Sequence, residues 1–179
     1  MYKIIAVDMD GTLLRQDKKI SERTQRAIAK AVKKGAKVVL ATGRPYEGVQ
    51  RYLEELDLTS ENDYVISFNG SLVQNNKTKE IIKWNILKGQ DLHRLYKISK
   101  ELNVNIHAFT KEGCVTPVMS KYSRLEGEIN DIPVIVKEYD TISDEEDIIK
   151  IMMVDEPEKL DRAIQSMPKE VYEDYTVVR

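Results

Sequence analysis

Chemistry in this chain starts at Asp8 and Asp10, two carboxylates separated by Met9 and followed at once by Gly11 and Thr12. Side chains alternate along an extended strand, so both carboxylates can face one side while Met9 turns away. Two carboxylates converging beside a glycine turn make a site for a hard cation, and either one can also attack an electrophile or transfer a proton. A solvated Asp-Gly turn is the plainer alternative. A calcium loop fails on spacing: counted from Asp8, the position that needs Gly holds Leu13 and the position that needs Glu holds Lys19.

Two further polar turns have the right types for an anion. In Thr42-Gly43-Arg44-Pro45, Thr42 can offer a hydroxyl and a backbone N–H to a phosphate oxygen, and Gly43 lets backbone approach closely. Pro45 suits the first position of a following helix, whose free N–H groups would point to the same spot. An ordinary strand-to-helix turn, with Arg44 in a surface ion pair, is the alternative. Asn69-Gly70 closes a third apolar run, either at the mouth of the same site or as a plain hairpin turn.

The elements that would position these turns follow from periodicity. Ile4 to Val7 is an unbroken apolar run and reads as a strand buried on both faces. Residues 14–20 are polar enough for a small flap over the carboxylates. Ser21 offers an N-cap, Thr24, Ala27, Ile28, Ala31 and Val32 recur at helical spacing, and Gly35 ends the helix. Lys37 to Ala41 is a second buried strand, and strand–helix–strand in so few residues makes the two strands parallel. Val49, Tyr52, Leu53 and Leu56 mark a helix over 46–56, and Tyr64 to Phe68 a third strand. Parallel strands would then deliver the three polar turns to one edge, where open α/β sheets bind ligands.

Asp8-Met9-Asp10-Gly11-Thr12-Leu13-Leu14 after an apolar strand resembles the first motif of the haloacid dehalogenase-like (HAD) phosphohydrolases, and Ala41-Thr42-Gly43-Arg44-Pro45 resembles the second motif of their Cof-type sugar phosphatases. That resemblance implies an α/β fold with a doubly wound parallel sheet core, a bound Mg²⁺ held by Asp8 and Asp10, and an aspartyl-phosphate intermediate. By the same analogy Asp8 is the catalytic nucleophile and Asp10 the general acid/base, with Thr42, Gly43, Arg44 and Asn69 binding phosphate and substrate. The substrate class it implies is small phosphorylated metabolites such as sugar phosphates. A non-catalytic phospho-ligand or partner-binding protein and a phosphomutase are the alternatives.

Downstream, Ser71 to Gln74 and Glu80 to Ile86 read as a hairpin leading away from the core. Beyond it the texture turns to mixed segments: a helix with Leu92, Leu95, Ile98 and Leu102, strands at Val104 to Ala108, Cys114 to Val118, Val134 to Val136 and Ile148 to Val154, helices after Met119 and Pro157, and strand character from Val171 to Arg179. Such interleaving without phosphate turns suggests an α+β lid, in the place of the family's C2-type cap. The expected division is therefore 1–83 as the N-terminal part of the core and 84–179 as the cap, with its last strand and the remaining core missing. The family's third-motif lysine and fourth-motif acidic pair, Gly-Asp-x-x-Asn-Asp, are not found, and no Gly-Asp pair occurs. The expectation is a C-terminally truncated phosphatase, inactive or weak as this chain.

Composition narrows the rest. With 179 residues at roughly 100–200 per domain, one large domain or two small ones fit. Lys+Arg of 28 against Asp+Glu of 30 leave a net charge of -2, so no strong field favours nucleic acid or an anionic membrane. A single cysteine, Cys114, excludes an internal disulfide framework and points to a reducing cytoplasm. The N-terminal apolar run is too short for a signal peptide, and no stretch approaches the roughly 20 apolar residues of a membrane span. His93 and His107 stand alone and read as surface or packing residues, the acidic run 143–147 as a solvated loop, and Lys111, Lys121 and Arg124 as solvated charge.

Overall fold

Strand β1 (Ile4–Asp8) pairs in parallel with β2 (Lys37–Ala41) in the computed structural model, which describes residues 2–179. Between them runs α1 (Glu22–Lys33), begun by Ser21, whose Oγ accepts the Thr24 N–H at 3.2 Å. Helix α2 (Glu47–Glu55) returns the chain to β3 (Tyr64–Ser67), parallel to β2. Pro45 therefore lies two residues ahead of the helix instead of at its first position. Its N-cap, Tyr46, already has helical backbone angles, so the first turn is entered gradually.

Apolar alternation sets one packed face. Val38 and Leu40 of β2 and Val65 of β3 share a core with Ile28 of α1 and with Val49, Tyr52 and Leu53 of α2. Burying each such side chain contributes roughly 1.5–3 kcal/mol before chain entropy is counted. Val39, Ala41 and Ile66, which alternate with these, are only half-buried.

Two expectations are corrected here. Strand β1 is not buried on both faces: it pairs only with β2 at the edge of the sheet, and Ile4 and Ile5 are 66% and 37% exposed. The hairpin does not lead away from the core either. Strands β4 (Leu72–Asn75) and β5 (Ile81–Trp84) extend the same sheet, in the order β1-β2-β3-β4-β5, with β4 antiparallel to β3. The chain reverses in a 3₁₀ turn, Phe68–Gly70, where Phe68 and Asn69 both take left-handed backbone angles.

The residues fall into two compact units, one reaching to Ile86 and including Ile129–Asp131, the other made of Leu87–Glu128 and Ile132–Arg179. From Leu87 on, β6 (Leu87–Lys88) leads into α3 (Gly89–Glu101), β7 (Asn105–Thr110), β8 (Gly113–Thr116), α4 (Lys121–Asn130), whose last two residues count with the first unit, and β9 (Val134–Val136). The expected single strand at 148–154 is two: β10 (Asp147–Ile148) pairs with β6, and β11 (Lys150–Val154) with β7. The break falls at Ile149, whose N–H donates to the Phe109 carbonyl. The larger sheet has the order β11-β7-β8-β9.

Ile106, Ala108 and Val115 pack with Leu92, Leu95 and Ile98 of α3 on one face of that sheet. His107 takes the alternate face, where it meets Ser123 of α4 at 3.4 Å. The segment after α5 (Pro157–Ser166) is corrected as well: its strand character gives way to a short helix, α6 (Lys169–Asp174), which buries Val171 and brings Tyr175 within hydrogen-bond reach of Asp91.

Candidate active site

The pairing register brings the three turns together. Asp8 lies opposite Ala41, and Ala41 opposite Ile66, so Thr42 and Ser67 stand one step beyond on neighbouring strands. Neighbouring strands lie about 4.8 Å apart, which keeps all three strand ends within reach of one small group. Met9 is fully buried in the core between Asp8 and Asp10, which are both exposed. The turn after β1 is tied by N–H donation from Leu13 to the Asp8 carbonyl and from Leu14 to the Met9 carbonyl.

Each carboxylate has its own partners. Thr12 Oγ1 donates to Asp8 Oδ2 at 3.0 Å, which orients the carboxylate. Asp10 is gripped by a guanidinium fork: Arg44 Nε donates to Oδ2 at 2.7 Å and Nη2 to Oδ1 at 2.8 Å. Lys18 Nζ adds a third bond to Oδ1 at 2.8 Å. The Arg44 hydrogen bonds, with those of Lys18, hold the Asp10 carboxyl far below the usual carboxylate range against the opposing pull of partial burial. Asp10 is an anion wherever this grip holds.

The second and third turns are stitched to each other. Thr42 is buried, and its Oγ1 accepts the Arg44 N–H at 3.2 Å while keeping its own proton to donate. Phe68 N–H donates to the Arg44 carbonyl and Asn69 N–H to the Thr42 carbonyl. Gly43 leaves room for the Asn69 side chain: a Cβ there would stand 3.0 Å from Asn69 Oδ1, so that side chain would have to shift by a few tenths of an ångström. Asn69 thus lies against the second turn, and Arg44 pairs with Asp10.

Three residues at these strand ends were not singled out from sequence. Thr12 carries the motif's hydroxyl, and a hydroxyl four residues past a strand-end carboxylate could have been noticed. Lys18 gave no signal, because one lysine in a polar flap looks like any other. Ser67 is fully buried with no side-chain partner for its Oγ, and only the register shows that it stands level with Thr42.

A family model of the haloacid dehalogenase-like hydrolases matches residues 5–179. The chain belongs to that family. Among similar proteins, "Putative phosphatase YxeH" of Bacillus subtilis is 44% identical over 100% of this chain and 67% of its own length. A second relative, "Putative phosphatase M6_Spy0533" of Streptococcus pyogenes, is 39% identical over 99% of this chain and 66% of its own. The chain thus spans about two thirds of the length of these relatives. A haloacid dehalogenase-like hydrolase from Bacteroides thetaiotaomicron has the same fold, with a TM-score of 0.82 and 25% identity over 100% of this chain and 68% of that one.

A divalent cation is the remaining part of the family's chemistry. Asp8 and Asp10 supply two oxygen-donor groups, but no cluster of three acidic, His or Cys side chains occurs among the described residues. Arg44 and Lys18 already occupy both Asp10 oxygens. Magnesium is held by one or two carboxylates, with waters and a substrate phosphate completing its octahedron, so the pair fits it once Arg44 and Lys18 release Asp10.

Proposed function

We propose that the ends of β1, β2 and β3 form the phosphate-handling site of a phosphohydrolase acting on monoesters of small metabolites. The observation that carries this reading is the joining of Asp8, the Thr42 turn and the Asn69 turn at one sheet edge by register and hydrogen bonds. Asp8, oriented by Thr12, is the nucleophile: its carboxylate attacks phosphorus, the ester oxygen leaves, and a mixed anhydride forms. Water then hydrolyses that anhydride, so one difficult displacement becomes two easier ones. Thr42, through its free hydroxyl proton, and the backbone around Gly43 receive the equatorial oxygens, while Asn69 lines the mouth.

Asp10 is the partner for proton transfer. Arg44 and Lys18 hold it as an anion of low basicity, so both taking a proton from the attacking water and donating one to the leaving group require that grip to loosen. Magnesium belongs to this proposal through family resemblance alone, and no step here is routed through it. Sugar phosphates are the narrower substrate reading, supported by the Cof-type form of Ala41 to Pro45. A second reading, a non-catalytic binder of phosphorylated ligands, is favoured by the engagement of both Asp10 oxygens with Arg44 and Lys18.

Phosphate release from an aryl phosphate, measured with and without Mg²⁺ for the unaltered chain and Asp8→Asn, separates the two. Slow release that Asp8→Asn reduces by about a thousandfold or to background supports hydrolysis. Equal rates in both proteins contradict it.

A further inference from the structure

Lys18 stands at this site outside both motifs. Its ammonium lies 2.8 Å from Asp10 Oδ1, yet its backbone is built for something more demanding than a surface ion pair. The residue sits at φ +58°, a left-handed conformation that suits Gly or Asn better than a long side chain and that persists only where the surroundings impose it. Here they do. The Lys18 N–H donates to the Arg15 carbonyl at 2.9 Å, the Arg15 N–H to the Lys19 carbonyl at 3.0 Å, and the hydroxyl of core residue Tyr52 to the Lys18 carbonyl at 3.0 Å. Leu13, Leu14 and Ile20 are buried and anchor both ends of the turn.

The two cations on Asp10 differ in how readily they can leave it. Arg44 has 11% of its side chain exposed and holds Asp10 through a two-bond fork; Lys18 has 55% exposed and holds it through one bond on a flexible stem. Asp8 and Asp10 together carry two negative charges, balanced by Arg44 and Lys18. A phosphate dianion arriving beside Asp8 upsets that balance and needs a cation that can turn to it without moving the backbone.

We propose that Lys18 is a phosphate-contacting residue, whose ammonium passes from Asp10 to the oxygens of an incoming phosphate group while Arg44 stays on Asp10. This rests on the phosphate-site reading above and extends it to a residue of the flap. The test is calorimetric titration of the 179-residue chain with inorganic phosphate, for the unaltered protein, Lys18→Met, Lys18→Gly, Lys19→Met and Thr42→Val. Lys18→Gly removes the ammonium at a backbone angle that Gly adopts freely, and a circular-dichroism spectrum matching that of the unaltered chain shows that a loss of binding there is not misfolding. Both Lys18 variants are expected to bind phosphate about tenfold more weakly, the loss of one charge-assisted hydrogen bond, and Lys19→Met to bind normally. Unchanged affinity in the Lys18 variants with weakened binding in Thr42→Val overturns the Lys18 assignment alone. Equal weakening by Lys19→Met also overturns it, because the effect is then one of general charge. Unchanged binding in Thr42→Val, or no binding by the unaltered chain, overturns the site reading and this assignment with it.

Discussion

Arg44 and Lys18 turn Asp10 into a fixed anion, and a single buried histidine in the second unit shows the opposite kind of control. His107 is fully buried, its Nε2 has no hydrogen-bond partner, and burial, with the nearby Lys150 charge adding to it, pushes the imidazole from 6.5 down to about 4. Because the folded state resists protonation more than the unfolded chain does, its contribution is intact above about pH 6.5 and is lost as pH falls toward 4. The loss is of order 3 kcal/mol, counted at about 1.4 kcal/mol per pH unit. Urea unfolding followed by circular dichroism between pH 7 and pH 4 should show that loss, and His107→Leu should flatten it; an identical acid loss in the variant places its origin elsewhere. At this scale the residue types at Asp8, Asp10 and Thr42 were legible because motif chemistry is local. The Asp10–Arg44 fork was not, since it spans 34 residues and depends on strand register.

Elements were legible where the pattern was local too. Ser21 caps α1 as its hydroxyl and the following helical spacing require, and β2 spans the apolar run from Lys37 to Ala41. What failed was what lies beside an element. An apolar run says that a strand wants to be covered, not that it is, and β1 is an edge strand with Ile4 on its open side. The break at Ile149 and the helix over Lys169–Asp174 likewise depend on partners, the Phe109 carbonyl and the cluster around Val171. An edge presenting unpaired N–H and C=O groups with an apolar side chain invites pairing with a second copy, and a lysine there discourages it. Ile4→Lys should therefore lower concentration-dependent self-association in sedimentation experiments while changing stability by less than about 0.5 kcal/mol. Undiminished association would show that the contact does not run through this edge.

Across the whole molecule, each unit has its own apolar core, one around Tyr52 and Leu53 and the other around Leu92 and Tyr139. Asp8, Asp10, Thr42, Arg44 and Asn69 all belong to the first. The family could be read from two short motifs, because their chemistry demands particular residues at particular strand ends; the order of the sheet could not, because the hairpin after β3 carries no mark of which side it takes. No helix among the described residues is long and apolar enough to cross a membrane. The central claim is that Asp8 carries the phosphoryl group, and it is tested most directly by acid-quenching the chain during exposure to a small aryl phosphate and mapping the covalent phosphate by mass spectrometry. The account predicts a phosphoryl group on the peptide containing Asp8, released by hydroxylamine and absent in Asp8→Asn. Its absence from that peptide, or its persistence in Asp8→Asn, contradicts the account.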